Sequence, residues 1–141
     1  MEGRRLYTFT VLQLLAGAVF IWVLATWKTP WNAERYVGTV LAVIGISMIA
    51  LARYQLGTSF SVAAEARHLV TRGLYSKIRN PIYMFGMVMI AGLFLVIQIR
   101  ALWVVLLAVL IGQTIRARRE AAVLEAAFGE EYREYRRKTW F

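Results

Sequence analysis

Four stretches without a charged residue dominate this chain, and short charged segments separate them. The stretches cover residues 6–27, 36–52, 80–99 and 101–115. A helix needs about 20 residues to cross the hydrocarbon core of a bilayer, so the first and third stretches are long enough by themselves. The second reaches that length if Arg53 extends its charge to the interface, and the fourth if Gln113 lies at the membrane edge. The pattern predicts an all-α, multi-pass membrane protein with about four transmembrane helices.

Local signals set the expected helix boundaries. One continuous helix through Arg100 would hold a cation in mid-bilayer at a cost of about 2.5 kcal/mol or more, so we expect a tight hairpin near residues 98–100. The sequence KTPWN predicts the turn between the first two spans, and Pro81 suits the first position of the third. The spans are expected near 6–27, 36–53, 81–99 and 101–116, within a single domain over 1–141. The first exceeds the about 7–15 residues of a signal-peptide core, so we expect it to be retained.

Composition supports a membrane protein and excludes several kinds of chemistry. Hydrophobic residues make up 60% of the chain, against about 45–50% in soluble domains. The absence of cysteine excludes disulfides and cysteine catalysis, and a single histidine, His68, excludes a metal cage built from several histidines. The sequence therefore predicts no metal site, and we expect His68 to be a solvated loop residue.

The net charge of +9 follows from topology. With four spans, the N-terminus, a loop over 54–80 with Arg53 at its edge, and a tail over 117–141 with Arg116 lie on one side of the membrane. That side holds 14 of the 17 Lys and Arg residues. Basic residues concentrate on the cytoplasmic side of membrane proteins, so both termini are predicted to be cytoplasmic. Because topology accounts for the charge, we expect no nucleic-acid partner.

The long loop and the tail have helical patterns of their own. Residues 61–70 could form a short helix capped by Ser61 and stopped by Gly73. The tail predicts a C-terminal amphipathic helix lying on the membrane surface, with i,i+4 ion pairs Arg116–Glu120 and Glu134–Lys138. The apolar side chains of its one face are Leu124, Phe128, Tyr132 and Tyr135.

Two segments of the chain resemble the signatures of isoprenylcysteine carboxyl methyltransferases and related phospholipid methyltransferase-like membrane enzymes. GLYSKIRNPIYMFG, at 73–86, is similar to the pattern G-P-Y-x-x-x-R-H-P-x-Y-x-G. REAAVLEAAFGEEYREY, at 119–135, is similar to E-E-x-x-L-x-x-x-F-G-x-x-Y-x-x-Y. Leu74, Asn80 and Ala121 stand where the family usually has proline, histidine and a second glutamate. Asn80 cannot titrate, which argues against an acid or base role there.

The resemblance implies an S-adenosylmethionine-dependent methyltransferase whose two segments enclose the cofactor at the cytosolic end of the last helices. It implies that Glu120 lies near the amino group of the cofactor, and it assigns no catalytic residue. The implied cofactor-binding residues are Leu74, Tyr75, Arg79, Asn80, Pro81, Tyr83, Gly86, Arg119 and Glu120. The residues expected to contact the substrate or close the pocket are Arg116, Phe128, Tyr132 and Tyr135.

The acceptor and the enzyme class keep alternatives open. The expected methyl acceptor is a lipid-like or small apolar molecule that enters from the bilayer; a prenylated carboxylate, a phospholipid amine, a thiol or a quinone-like hydroxyl all fit. One alternative is a nicotinamide-dependent membrane reductase of the steroid-reductase type. Another is a non-enzymatic membrane subunit with a degenerate site. Taken singly, the cations also fit topology, the tyrosines fit interface anchors, and Glu120 fits an ordinary surface position.

Overall fold

The computed structural model describes residues 2–57 and 69–141, with side chains from residue 11 onward. These residues form helices and loops, as predicted, and their one β feature is an isolated parallel bridge between Ile78 and Trp140. The helices are α1 (Glu2–Thr26), α2 (Ala33–Leu56), a 3-10 helix (Gly73–Ser76), α3 (Pro81–Ile97), α4 (Leu102–Phe128) and α5 (Glu130–Lys138). The short helix expected near residues 61–70 and the position of His68 fall mainly on residues 58–68, outside those described.

The predicted helix boundaries agree with the observed turns. The KTPWN segment connects α1 to α2, and Asn32 caps α2 by accepting a hydrogen bond from the backbone N–H of Arg35 at 3.1 Å. Pro81 is the first residue of α3. The hairpin between α3 and α4 turns at Gln98, whose left-handed backbone (φ 59°) ends α3. Arg100 is exposed in this turn, as the argument from charge required.

The helices α2 and α3 approach each other closely because glycines line their contact. An added Cβ on Gly92 would lie 2.5 Å from the backbone nitrogen of Ala42 and 2.6 Å from the carbonyl oxygen of Gly38. One on Gly45 would lie 2.7 Å from the backbone nitrogen of Met89. Small residues that let helix backbones touch are typical of helix packing in membranes. By contrast, α4 packs on α3 more loosely.

The turns at the far end of the hairpin are joined by a buried arginine. Arg35 is 2% exposed, donates to the backbone carbonyl oxygens of Thr29 and Leu24, and stacks 4.3 Å from the Trp31 ring. Thr29 in turn donates to the carbonyl oxygen of Val96 at 2.9 Å. The guanidinium therefore caps the C-terminal end of α1. Thr29, in the turn between α1 and α2, attaches this turn to the end of α3.

One described helix has the length and apolar composition needed to cross a membrane by itself, namely Ala33–Leu56. Two others, Val11–Thr26 and Pro81–Ile97, are apolar but shorter. Many large apolar side chains on α1 and on the first half of α4 face outward, including Leu14, Ile21, Val104 and Leu107. Exposed apolar surface of this extent marks a membrane or protein contact. The four-span topology remains a prediction.

The tail differs from the single amphipathic helix that was predicted. α4 continues without a break past Arg116 to Phe128 and ends at Gly129, whose φ of 53° favours glycine. The separate helix α5 then carries the amphipathic pattern, and the prediction of one face through Leu124 and Tyr135 is wrong because Gly129 redirects the chain. Tyr132 (2% exposed) and Tyr135 (9%) are covered by the protein itself.

Candidate functional site

The 3-10 helix Gly73–Ser76 is held against the end of α2. Gly73 has φ of 61°, and any side chain there would collide with Gln55. The backbone N–H of Leu74 donates to Oε1 of Gln55 at 2.7 Å. Gln55 thus positions the start of the first signature segment, and Tyr75 turns inward to become buried.

The last residues of the chain run beside the same segment. The backbone N–H of Trp140 donates to the carbonyl oxygen of Lys77 at 3.0 Å, and that of Arg79 donates to the carbonyl oxygen of Trp140 at 3.2 Å. Asn80 donates twice to the carbonyl oxygen of Phe141, from its backbone at 3.0 Å and from Nδ2 at 3.1 Å. The side chain of Asn80 therefore has a structural use that needs no titratable group.

Two buried tyrosines fasten α5 to the first segment. The hydroxyl of Tyr135 donates to the carbonyl oxygen of Tyr75 at 2.7 Å, and the Tyr132 and Tyr135 rings lie 6.1 Å apart. Burial, chiefly, raises the pKa of Tyr135 to about 12, and it raises the pKa of Tyr75 as well. Both hydroxyls are therefore protonated at neutral pH, so Tyr135 acts as a hydrogen-bond donor.

The second contact between the segments joins α3 to α4. The Tyr83 hydroxyl donates to Oε1 of Glu120 at 2.5 Å. Nε of Arg116 donates to the same oxygen at 3.1 Å, which confirms the predicted i,i+4 pair. The Arg116 guanidinium also lies 5.8 Å from the centre of the Tyr83 ring. Tyr83 and Arg116 together orient the carboxylate through Oε1.

Polar atoms near these contacts are left without partners. Nε of Arg79 and Oε1 of Gln113 are buried and have no hydrogen-bond partner among residues 2–57 and 69–141. Native proteins satisfy nearly all such groups, so each unsatisfied one needs an explanation. A guanidinium fits a ligand carboxylate, an amide oxygen fits a cationic centre, and the Glu120 carboxylate fits an ammonium group.

Most residues that the sequence singled out come together here. Leu74, Tyr75 and Asn80 take part mainly through hydrogen bonds of their backbone groups. Pro81 and Gly86 are buried at the start of α3. Arg119 is exposed, away from the Glu120 contact, and Phe128 is half-buried at the end of α4. Sequence reasoning did not assign Gln55, Gln113 or the 140–141 segment to the site. A signal existed for the two glutamines, since each is a polar residue at or near the end of an apolar stretch.

A polar cluster is formed by Tyr83, Arg116 and Glu120 with the buried polar atoms of Arg79 and Gln113. It lies where the apolar helices α3 and α4 meet the charged part of the chain. The fold and this cluster define a helical membrane-type protein with an ionic site. The model of the phospholipid methyltransferase family matches residues 33–131, which is more than half of the chain and includes most of both signature segments. The chain belongs to the phospholipid methyltransferase family. No curated protein and no solved structure matches it significantly. Family membership implies methyltransferase activity and membrane association.

Proposed function

We propose that this protein is an integral membrane methyltransferase that uses S-adenosylmethionine. The observation that carries the proposal is the junction of residues 73–86 with 116–135, made by Tyr83–Glu120 and by Tyr135–Tyr75. The resemblance alone implied that these segments meet. Their contacts leave the unpartnered atoms of Arg79 and Gln113 at the same end of the α3–α4 pair, which is what a ligand-binding site between them requires.

In this proposal Glu120 and Arg79 each bind one group of the cofactor. Glu120 holds the ammonium through Oε2, while Tyr83 and Arg116 keep Oε1 in place. Nε of Arg79 donates to the carboxylate of the cofactor, because a guanidinium matches a carboxylate with paired donors. The aromatic ring of Tyr83 is one surface on which adenine could stack. Arg119 is exposed, and we give it no direct contact.

Bound here, S-adenosylmethionine would supply a methyl group whose transfer needs alignment more than acid–base help. The residues therefore act by orienting the reactants and keeping water out. Buried Tyr132 and Tyr135 cover the polar side. The apolar faces of α3 and α4 leave the other side open to a lipid-borne or small apolar acceptor. No side chain is assigned as a base, which agrees with asparagine at position 80.

The proposal includes a multi-pass topology with both termini in the cytoplasm. It rests on the segregation of 14 of the 17 Lys and Arg residues to one side and on the positive-inside rule. The site lies at the same end as the basic tail, so the cofactor would enter from the cytoplasm. A soluble cofactor and an apolar acceptor would then use separate entrances.

Calorimetry on the detergent-purified chain tests the proposal directly. S-adenosylhomocysteine should bind saturably to the wild type, and Glu120→Ala should abolish that binding. Glu131→Ala is the matched control, since it removes an exposed carboxylate from the same signature segment and should leave binding unchanged. Binding of NADPH in place of the homocysteine compound would support the reductase alternative. Binding of neither ligand by a folded sample would support the non-enzymatic one.

A further inference from the structure

Gln113 places a side-chain amide beside Gly86 of α3, at the contact between α3 and α4. It lies on α4, its Oε1 is buried, and no described residue donates a hydrogen bond to that oxygen. Burying an unsatisfied amide oxygen costs free energy. The protein keeps this group inside a stretch, 101–115, that has no charged residue, and a bound ligand that satisfied the oxygen would offset this cost.

Gly86 lies beside this amide. It is buried, and among the described residues an added Cβ there would meet one atom within 4 Å, Nε2 of Gln113 at 3.9 Å. The buried glycines of the α2–α3 contact behave differently, because an added Cβ on Gly45 or Gly92 would strike backbone at 2.7 Å or less. Among the described residues Gly86 therefore adjoins the Gln113 side chain without a backbone clash, whereas those glycines serve close helix packing.

Gln113 lies on the same face of α4 as Glu120 of the polar cluster. Gln113 and Glu120 are seven residues apart on α4, so they share a face and are separated by about 10 Å along the axis. Gly86 lies three residues after Tyr83, about one turn further along α3. A ligand whose ammonium is held by Glu120 would extend along this face toward Gln113, away from the charged tail.

We propose that Gln113 is a ligand-binding residue whose amide oxygen faces the sulfonium of S-adenosylmethionine, a contact that the neutral thioether of the product lacks. This inference rests on the proposed function and names a further residue of the same site. The negative end of a carbonyl dipole attracts a cation, and it does so more strongly when water is excluded. The amide is polar but uncharged. It therefore avoids the repulsion from Glu120 and the desolvation cost that a second carboxylate would bring.

Methyl transfer removes the positive charge on which this contact depends. The lone pair of the acceptor forms the new bond to the methyl carbon, and the electrons of the carbon–sulfur bond remain on sulfur. The cationic sulfonium thereby becomes a neutral thioether, and the positive charge passes to the acceptor or leaves with its proton. Gln113 then loses its attraction to the bound molecule, so the site discriminates between cofactor and product.

The test compares the two ligands by calorimetry on the full chain in detergent. For Gln113→Leu we expect the affinity for S-adenosylmethionine to fall about tenfold, as for loss of one interaction with a charged group, and that for S-adenosylhomocysteine to fall no more than about twofold. Thr114→Val is the matched control. Its hydroxyl donates to the carbonyl oxygen of Leu110 within α4, so neither affinity should change.

Thermal unfolding without ligand gives the second readout. Gln113→Leu should keep or raise the melting temperature, because leucine fills similar volume without a buried unpaired oxygen. A lowered melting temperature would mean that Gln113 is satisfied within the protein, by water for example, and would overturn the inference. Equal weakening of both ligands would also overturn it while leaving the proposed function intact. Failure of the wild type to bind either ligand would overturn both.

Discussion

The hydroxyl of Tyr83 donates a hydrogen bond to Oε1 of Glu120 at 2.5 Å and thereby joins residues 37 positions apart. Each lies in a different signature segment and on a different helix, α3 or α4. The carboxylate also receives Nε of Arg116 at 3.1 Å. These two donors fix one oxygen of Glu120, and in the proposed function the other holds the ammonium of the cofactor.

Removal of the Tyr83 hydroxyl tests whether this orientation matters. Tyr83→Phe should weaken S-adenosylhomocysteine binding by about tenfold, because a hydrogen bond to a charged group contributes about 1.5–3 kcal/mol and its loss lets the carboxylate rotate. Calorimetry measures the change. Tyr54→Phe, at a position 85% exposed on α2, should bind as the wild type does. Unaltered affinity in Tyr83→Phe would show that the orientation of Glu120 does not depend on Tyr83.

Arg79 provides a second test of the binding site. Its Nε is buried without a partner among the described residues, so Arg79→Ala should lower ligand affinity about tenfold or more and leave the melting temperature nearly unchanged. Arg72→Ala removes an exposed cation seven residues earlier and controls for net charge. If both variants weaken binding equally, general electrostatic attraction explains the effect and the assigned contact is wrong.

The Tyr135 hydroxyl connects α5 to the carbonyl oxygen of Tyr75 at 2.7 Å. Tyr135→Phe should destabilise the protein by about 0.5–1.5 kcal/mol, seen as a lower melting temperature. The pKa of Tyr135 is raised from 10.0 to about 12, so this contribution is complete below about pH 10 and is lost as pH rises through about 12. The melting-temperature difference between wild type and variant should therefore persist at pH 9. A difference already absent there would contradict the burial of the phenol.

The ion pair between Glu125 and Arg133 spans the Gly129 break. Nε of Arg133 donates to Oε1 of Glu125 at 2.8 Å, and this hydrogen bond, chiefly, lowers the pKa of Glu125 below its ordinary 4.5. A lowered folded pKa stabilises the protein above the ordinary value, and the gain disappears as pH falls through the folded pKa. Glu125→Gln should thus reduce the melting temperature slightly at pH 7, and the difference should shrink as the pH falls below 4.5.

The control for that experiment lies on α5 itself. Glu131 is exposed, and Glu131→Gln should leave the melting temperature at pH 7 unchanged. A constant offset between Glu125→Gln and the wild type at every pH would indicate a packing effect rather than a titrating ion pair.

Close packing of α2 on α3 predicts a strong response at Gly92. Gly92→Ala places a methyl group 2.5 Å from the backbone nitrogen of Ala42, so the helices must separate at a cost of about 1–3 kcal/mol or more. Gly112→Ala is the matched control on α4, where an added Cβ meets nothing within 4 Å. It should be neutral or stabilise by up to about 1 kcal/mol. Thermal unfolding in detergent distinguishes the two, and equal stabilities would refute the close contact.

Much of the local structure was predictable because it depends on neighbours in sequence. Proline at position 81 begins α3, and the charge at Arg100 forces the turn that Gln98 makes. The Arg116–Glu120 and Glu134–Lys138 pairs follow from i,i+4 spacing. The extent of α4 was not predicted, since nothing local stops a helix before Gly129, where the left-handed backbone ends it.

The sequence by itself determined the helical class, the hairpin and the two signature segments, because periodicity, charge placement and turn residues act over a few positions. Only the tertiary structure decided which side chains meet. It joined Tyr83 to Glu120 and Tyr135 to the backbone of Tyr75, laid Trp140 beside Ile78, and brought Gln113 over Gly86. Such contacts depend on how helices pack and on where the chain returns, and side-chain spacing within one helix carries no information about the partner across the interface.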